Sequence, residues 1–286
     1  MRKLLPERKT SKNGQVVLIV LLIMSVILVV GLSIASRSVT DIKISQQSQE
    51  AARALWVAQA GLEEAIKLNQ PIGAGEKQPL GGVEYSVSKV GIGGANEFVF
   101  PGNFGPDEPA VLWLVEHNAD TKEIDDSVSY TGSKLKFYWG DKSACDANSP
   151  ALEATLVYKD SGNKFQNKRY VYDHCSSGRT QNFSDSNIDC SFGGKNFAFC
   201  SSAETLNLPV GSKPYLVRLK LLFNNTPQPV GVGGDANFPG QGDCYESSAT
   251  VAESGVTRKL RQCQLWGTTP SIFDNVLFSG NSLPTD

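Results

Sequence analysis

The chain has 286 residues, of which 40% are hydrophobic and 20% charged, with a formal net charge of -2. That length suits one large domain or two small ones, and the composition suits a globular chain with a buried core. The near-neutral charge excludes binding that works through an excess of Lys and Arg over a phosphate backbone, so no nucleic-acid partner is expected.

Residues 1–14 form a basic leader, in which Arg2, Lys3, Arg8, Lys9 and Lys12 are opposed by Glu7 alone. Val16–Ala35 follows, twenty residues interrupted only by Ser25, Gly31 and Ser33, and no charge appears before Arg37. About 20 apolar residues at 1.5 Å each span a hydrocarbon core of roughly 30 Å. A transmembrane helix is therefore expected over 15–36, with the lipid bilayer as its partner. The basic cluster is expected on the cytoplasmic side, which makes the chain single-pass with its C-terminal bulk extracytoplasmic. Ser33-Ile34-Ala35 has the small-x-small form of a signal-peptide cleavage site. The apolar run is longer than the ~7–15 residues of a signal-peptide core, which favours a retained anchor.

No Pro interrupts the chain between Pro6 and Pro71. Ala51, Leu55, Ala58, Leu62 and Ala65 recur at spacings of four and three, which places them on one helical face. A soluble continuation of the helix is expected over 37–68 with those five residues as its packing face. Glu63 and Lys67 form an i, i+4 pair off that stripe. Residues 69–82 carry Pro71, Pro79, Gly73, Gly75, Gly81 and Gly82 and read as a linker.

Residues 83–286 read as a β-rich domain. Val83, Tyr85 and Val87 alternate with polar residues, and Ala110–Val115, Lys134–Trp139, Ala154–Tyr158, Arg169–Tyr172, Tyr215–Phe223, Ala249–Val251 and Val256–Trp266 are further strand candidates. The fold class expected is α+β: one long N-terminal helix, then a mostly antiparallel extracytoplasmic domain.

Cys145, Cys175, Cys190, Cys200, Cys244 and Cys263 all lie beyond the hydrophobic segment, and none forms a C-x-x-C pair. In an exported chain this even count predicts up to three disulfides, and the spacing leaves all the pairings open. His174-Cys175-Ser176-Ser177-Gly178-Arg179 invites comparison with a phosphatase loop, which needs its Arg six residues after the Cys; here that position is Gln181. Asp185, Asn187 and Asp189 alternate as calcium-loop oxygens do, but the sixth and twelfth places hold Cys190 and Asn196 instead of Gly and Glu. A polar loop is the reading there, with calcium a minor alternative. His117 and His174 are far apart, and no nucleotide-binding glycine motif is present. The sequence thus nominates no catalytic residue and no cofactor, and an enzyme is not expected.

A basic leader, then Gly14, then an almost unbroken apolar helix resembles a prepilin signal. That resemblance implies a prepilin peptidase as partner and a cut between Gly14 and Gln15. Ala58-Gln59-Ala60-Gly61-Leu62-Glu63-Glu64-Ala65 resembles the A-x-A-G-L-x-x-A block of PilX-type minor pilins and is similar to K-type minor pseudopilins of type II secretion. The resemblance covers the first 68 residues; Pro270–Asp274 and Leu277–Gly280 are only loosely similar to PilX-like C-termini. It implies a minor pilin-like subunit at the cell surface, in contact with other pilin-like subunits of a type IV pilus or pseudopilus. Two positions depart from the family. Major pilins carry Glu at the fifth residue after the cut, where this chain has Ile19, and Gln15 replaces the usual aromatic or Met. The alternative is a bitopic surface adhesin or binding protein that never enters a fibre.

Overall fold

A computed structural model describes residues 13–268 except 107, 119–120, 143, 147 and 176–178, with the backbone alone for 13–15. The leader up to residue 12, the middle of the phosphatase-like loop and the C-terminal stretches named above lie outside the described residues. Helix α1 (Asn13–Leu68) is followed by β1 (Gln78–Leu80), β2 (Val83–Gly93), β3 (Glu97–Phe104), β4 (Ala110–Trp113), β5 (Val115–His117), β6 (Ile124–Ser129), β7 (Lys134–Trp139) and β8 (Ala151–Lys159). Then come β9 (Phe165–Tyr172), β10 (Asn187–Phe192), β11 (Lys195–Cys200), β12 (Glu204–Thr205), β13 (Lys213–Leu222), β14 (Gln228–Gly234), β15 (Gly240–Val251) and β16 (Thr257–Leu265). The class is α+β as expected, one long helix followed by antiparallel sheet.

Helix α1 has 56 residues. At 1.5 Å per residue it is about 80 Å long. It ends where Asn69 turns left-handed, with φ 55°. The Gln70 N–H donates to the Ala65 carbonyl at 3.2 Å, and Pro71 follows. This left-handed cap and the trailing Pro are common ways to stop a helix.

The chain divides into two compact units, drawn from Met1–Glu64, Ile72–Val87 and Ser247–Leu260, and from Ala65–Pro71, Ser88–Glu246 and Arg261–Asp286. In the first, α1 lies on strands from the sheet ordered β1-β2-β15-β16. Val83, Tyr85, Val87, Ala249 and Val251 are buried there, together with Ala54, Val57, Ala58 and Leu62 of the helix. The predicted linker is partly sheet: β1 pairs with β2, and Ile72 bridges Val87.

The second unit holds two packed sheets, β10-β11-β7-β14-β3 with β12 also on β7, and β4-β13-β8-β9, plus the small pair β5-β6. Strict alternation builds its core. Leu135, Phe137 and Trp139 of β7, Leu152, Ala154 and Leu156 of β8, and Val217, Leu219 and Leu221 of β13 are each 2% exposed or less. The rings of Trp139 and Tyr172 meet across the two sheets at 5.8 Å. The Trp139 indole N–H donates to the Pro150 carbonyl at 3.0 Å, so its burial leaves no polar atom unpaired.

All six cysteines are joined, as Cys145–Cys175, Cys190–Cys200 and Cys244–Cys263. The second bridge closes the β10–β11 hairpin, and the third joins neighbouring strands β15 and β16. Sequence separations of 30, 10 and 19 residues give, on the chain-entropy view, a stabilisation of roughly 3 kcal/mol each. Bridges of this kind persist in oxidising compartments, which suits an extracytoplasmic domain on a single membrane anchor.

Candidate functional site

The helix carries the most conspicuous surface. Its 53-residue stretch Val16–Leu68 contains a window of mean hydropathy 3.2 that the chain itself leaves 0% buried. Every large apolar side chain from Val16 to Ile34 is at least 47% exposed, with Leu32 at 68%. Full burial of each such side chain is worth about 1.5–3 kcal/mol, so this surface belongs in lipid or against other helices. Val39, Ile42 and Ile44 extend the uncovered stretch beyond Arg37. Gly14 and Gln15 lie in the first turn of α1, and Ile19 is 51% exposed one turn further on.

Cover by the chain itself begins near Ala54. The buried face is Ala54, Val57, Ala58, Gly61, Leu62 and Ala65. Ala58, Leu62 and Ala65 of the expected stripe lie on it, and Ala51 is half-buried. Leu55 does not, being 40% exposed. It stands one residue past Ala54 and is thus turned about 100° round the helix axis. Ala54 is fully buried on the face that meets the sheet. Gly61 is the tightest point. The Tyr85 ring lies over it, and the Tyr85 hydroxyl donates to the Glu64 carboxylate at 3.2 Å. Trp56, on the opposite side, is 75% exposed.

The motifs considered for chemistry resolve into structure. Cys175 is bridged to Cys145, so it offers no thiolate. Arg179 instead grips the fully buried Asp173 side chain through its Nε (2.9 Å) and a terminal nitrogen (2.6 Å), and Thr180 donates at 2.8 Å. Burial alone would push the Asp173 carboxyl up, but the Arg179 and Thr180 hydrogen bonds outweigh it and hold it below the usual range. The expected polar loop at Asp185–Asp189 is corrected in part: Asn187 and Asp189 belong to β10, and Asp185 meets His174 Nδ1 at 3.0 Å. Among the described residues no group of three or more His, Cys, Asp or Glu could hold a metal.

His117 sits in an aromatic cluster. Its ring stacks on Trp266 at 5.1 Å and meets the edge of Trp113 at 4.7 Å. Burial lowers its pKa and outweighs the opposing charge of Glu116. The unfolded chain therefore takes up a proton near pH 6.5 that the folded chain refuses. Stability from this residue is complete above that pH and is lost as pH falls toward the lower folded value. Urea unfolding from pH 8 to pH 5 is expected to show this loss, and His117→Phe is expected to flatten the slope while leaving stability at pH 8 nearly unchanged. An unaltered slope in the variant would assign the loss to other groups.

The outer face of the six-stranded sheet bears a recess of about 580 Å³. Gly233 of β14 stands in register with Lys136 on β7 and Glu97 on β3. The Phe192 ring fills the space over the glycine, and the recess lies beside it, with Lys136 and Glu97 one strand to either side. Phe192, at the end of the β10–β11 hairpin, forms one wall and stacks on Tyr138 at 4.0 Å. Lys134–Trp139 was legible as a strand, but β14, with three Gly and one Pro in seven residues, was not.

No family model, curated protein or solved structure matches this chain.

Proposed function

We propose that the chain is a minor pilin-like subunit of PilX type, which initiates, caps or modifies a type IV pilus or pseudopilus-like fibre. The observation that carries this reading is α1 itself: a continuous helix whose apolar half is uncovered by its own chain while its last turns are built into the sheet. Before assembly the lipid bilayer would cover the apolar half. In a fibre the helices of other pilin-like subunits would cover it, with the β-rich domain displayed outward. The uncovered segment around Val39, Ile42 and Ile44 fits that second setting, because lipid does not reach far past Arg37. Ile19 leaves out the carboxylate that major subunits use, which suits a rare or terminal position better than a repeated one. The role is structural, without catalysis or cofactor, and prepilin peptidase is the processing partner.

Mapping the mature N-terminus of protein from its native host tests the reading. The expected result is a chain beginning at Gln15, and an uncut one in a host lacking the peptidase. Assembled protein that keeps Met1–Gly14 would remove the prepilin reading. A membrane protein of unchanged size in both hosts would favour the bitopic adhesin instead.

A further inference from the structure

We propose that the recess beside Gly233 is a binding site for a carboxylated sugar. It stands whether or not the chain enters a fibre, because every residue involved belongs to the second unit.

The first ground is size and shape. About 580 Å³ suits a mono- or disaccharide and falls inside the usual range for ligand pockets. Adjacent strands lie about 4.8 Å apart, so the backbones at Lys136 and Glu97, one strand to either side of Gly233, stand roughly 10 Å apart. Among the described residues neither Lys134 nor Lys136 has a carboxylate partner.

The second ground is which charges are free. Asp235 lies next to Lys134 in the recess, but its carboxylate is already engaged. It accepts hydrogen bonds from the Ser133 N–H (2.9 Å), the Ser133 hydroxyl (2.9 Å), the Lys134 N–H (3.0 Å) and the Tyr130 hydroxyl (2.9 Å). The recess therefore offers two ammonium groups without a carboxylate partner on one bank and the exposed Glu97 carboxylate on the other.

The third ground is the wall. Phe192 presses so close that a Cβ at position 233 would stand 3.0 Å from its ring. Its far face is held by the Tyr138 stack, and the Lys136 ammonium lies 5.1 Å from the Tyr138 centroid. Position and rigidity are thus set before any ligand arrives, which reduces the ordering cost of binding.

These groups select among ligands. An anionic group is needed to engage Lys134 and Lys136. A fatty carboxylate would set its hydrocarbon against Glu97, which costs free energy. A nucleic-acid phosphate backbone would meet the same carboxylate as a repulsion. A sugar acid satisfies both banks: its carboxylate takes the lysines, its hydroxyls donate to Glu97, and the C–H face of the ring rests against Phe192.

The test uses the full chain in detergent micelles and isothermal titration with two probes, a galacturonate trisaccharide and sialyllactose, with galactotriose and lactose as neutral counterparts. The two acids separate a matrix polysaccharide from an animal-cell glycan as the source. Expected is binding of at least one acid, with its neutral counterpart at least about tenfold weaker, as loss of one charge-assisted contact implies. Lys136→Gln is expected to weaken the acid by about tenfold, and Lys195→Gln, outside the recess, to leave it unchanged. Near-UV circular dichroism checks that the Lys136 variant keeps its aromatic packing. Equal affinity for neutral sugars, a native-like Lys136→Gln variant that binds as well as the parent, or no heat with either acid at millimolar concentration would each overturn the proposal.

Discussion

Gly61→Leu is expected to break the docking of α1 on its sheet, and Gly61→Ala to destabilise it although alanine is the better helix former. Helix propensity alone would reward Gly61→Ala by about 1 kcal/mol. The Tyr85 ring reverses the sign. A Cβ at position 61 would stand 2.5 Å from Tyr85 Cδ2, 2.6 Å from Cε2 and 3.4 Å from Val87 Cγ2. Tyr85 is itself 8% exposed, and its hydroxyl is tied to Glu64, so the ring has little room to yield. Overpacking of this kind costs about 1–3 kcal/mol for one methyl group, and a leucine adds three more carbons to the same clash. The measurement is denaturant unfolding of the detergent-solubilised chain, with amide exchange over Val83–Val87 to localise the loss. A second substitution gives the control. Tyr85→Ala removes the obstructing ring, so Gly61→Ala made in that background is expected to be neutral or to stabilise by up to about 1 kcal/mol. Equal penalties in the two backgrounds would mean that the glycine is needed for some other reason than Tyr85.

That pair of residues also marks how far a sequence reading reaches. The Ala58–Ala65 block is visible as a helical face with a glycine in it, but nothing local says which strand residue comes to lie on the glycine. The same limit applies to the packing face: spacing placed Ala58, Leu62 and Ala65 on it, but not the buried Ala54 and Val57, and it included Leu55, which is 40% exposed. Strands with period two and large apolar residues were legible: Lys134–Trp139 was read with its observed bounds. Strands whose character comes from their neighbours were not. In β3, Pro101 and Gly102 stand on an outer strand of the sheet, where an absent N–H breaks no ladder on the open side. In β14, Gly231 and Gly233 are bare because Phe192 and Phe197 occupy the space their side chains would need. In β10, the alternating Asn187 and Asp189 read as a polar loop, whereas they are exposed residues of a hairpin closed by Cys190–Cys200. The pairing of the cysteines needed that register, and the recess beside Gly233 needed three strands placed side by side.

Placing arginine at both Leu22 and Ile27 is expected to expel the chain from the membrane. The two positions lie near the middle of Val16–Ala35, where a long basic side chain is far from either headgroup layer and gains least by reaching outward. Each arginine at a helix centre costs about 2.5–3.5 kcal/mol for insertion, and each lost apolar side chain removes a few tenths more. The sum, on the order of 6 kcal/mol, is more than a ten-thousandfold shift in partition. Val39→Arg supplies the comparison. Val39 is 53% exposed on the same helix but stands past Arg37, where the water-facing side of the anchor begins, so its retention is expected to match the parent. The readout is the fraction that stays with vesicles after alkaline carbonate and flotation. Loss of the Leu22/Ile27 variant with retention of the Val39 variant locates the anchor between residues 16 and 35. The same experiment separates the two uses of the helix. If only lipid covers α1, Val39→Arg has no further phenotype. If other helices cover it in a fibre, an arginine at Val39 is buried without a partner, and the variant should remain in the membrane yet fail to appear in sheared surface fibres. A Leu22/Ile27 variant that resists carbonate extraction would show that something other than α1 holds the chain to the membrane.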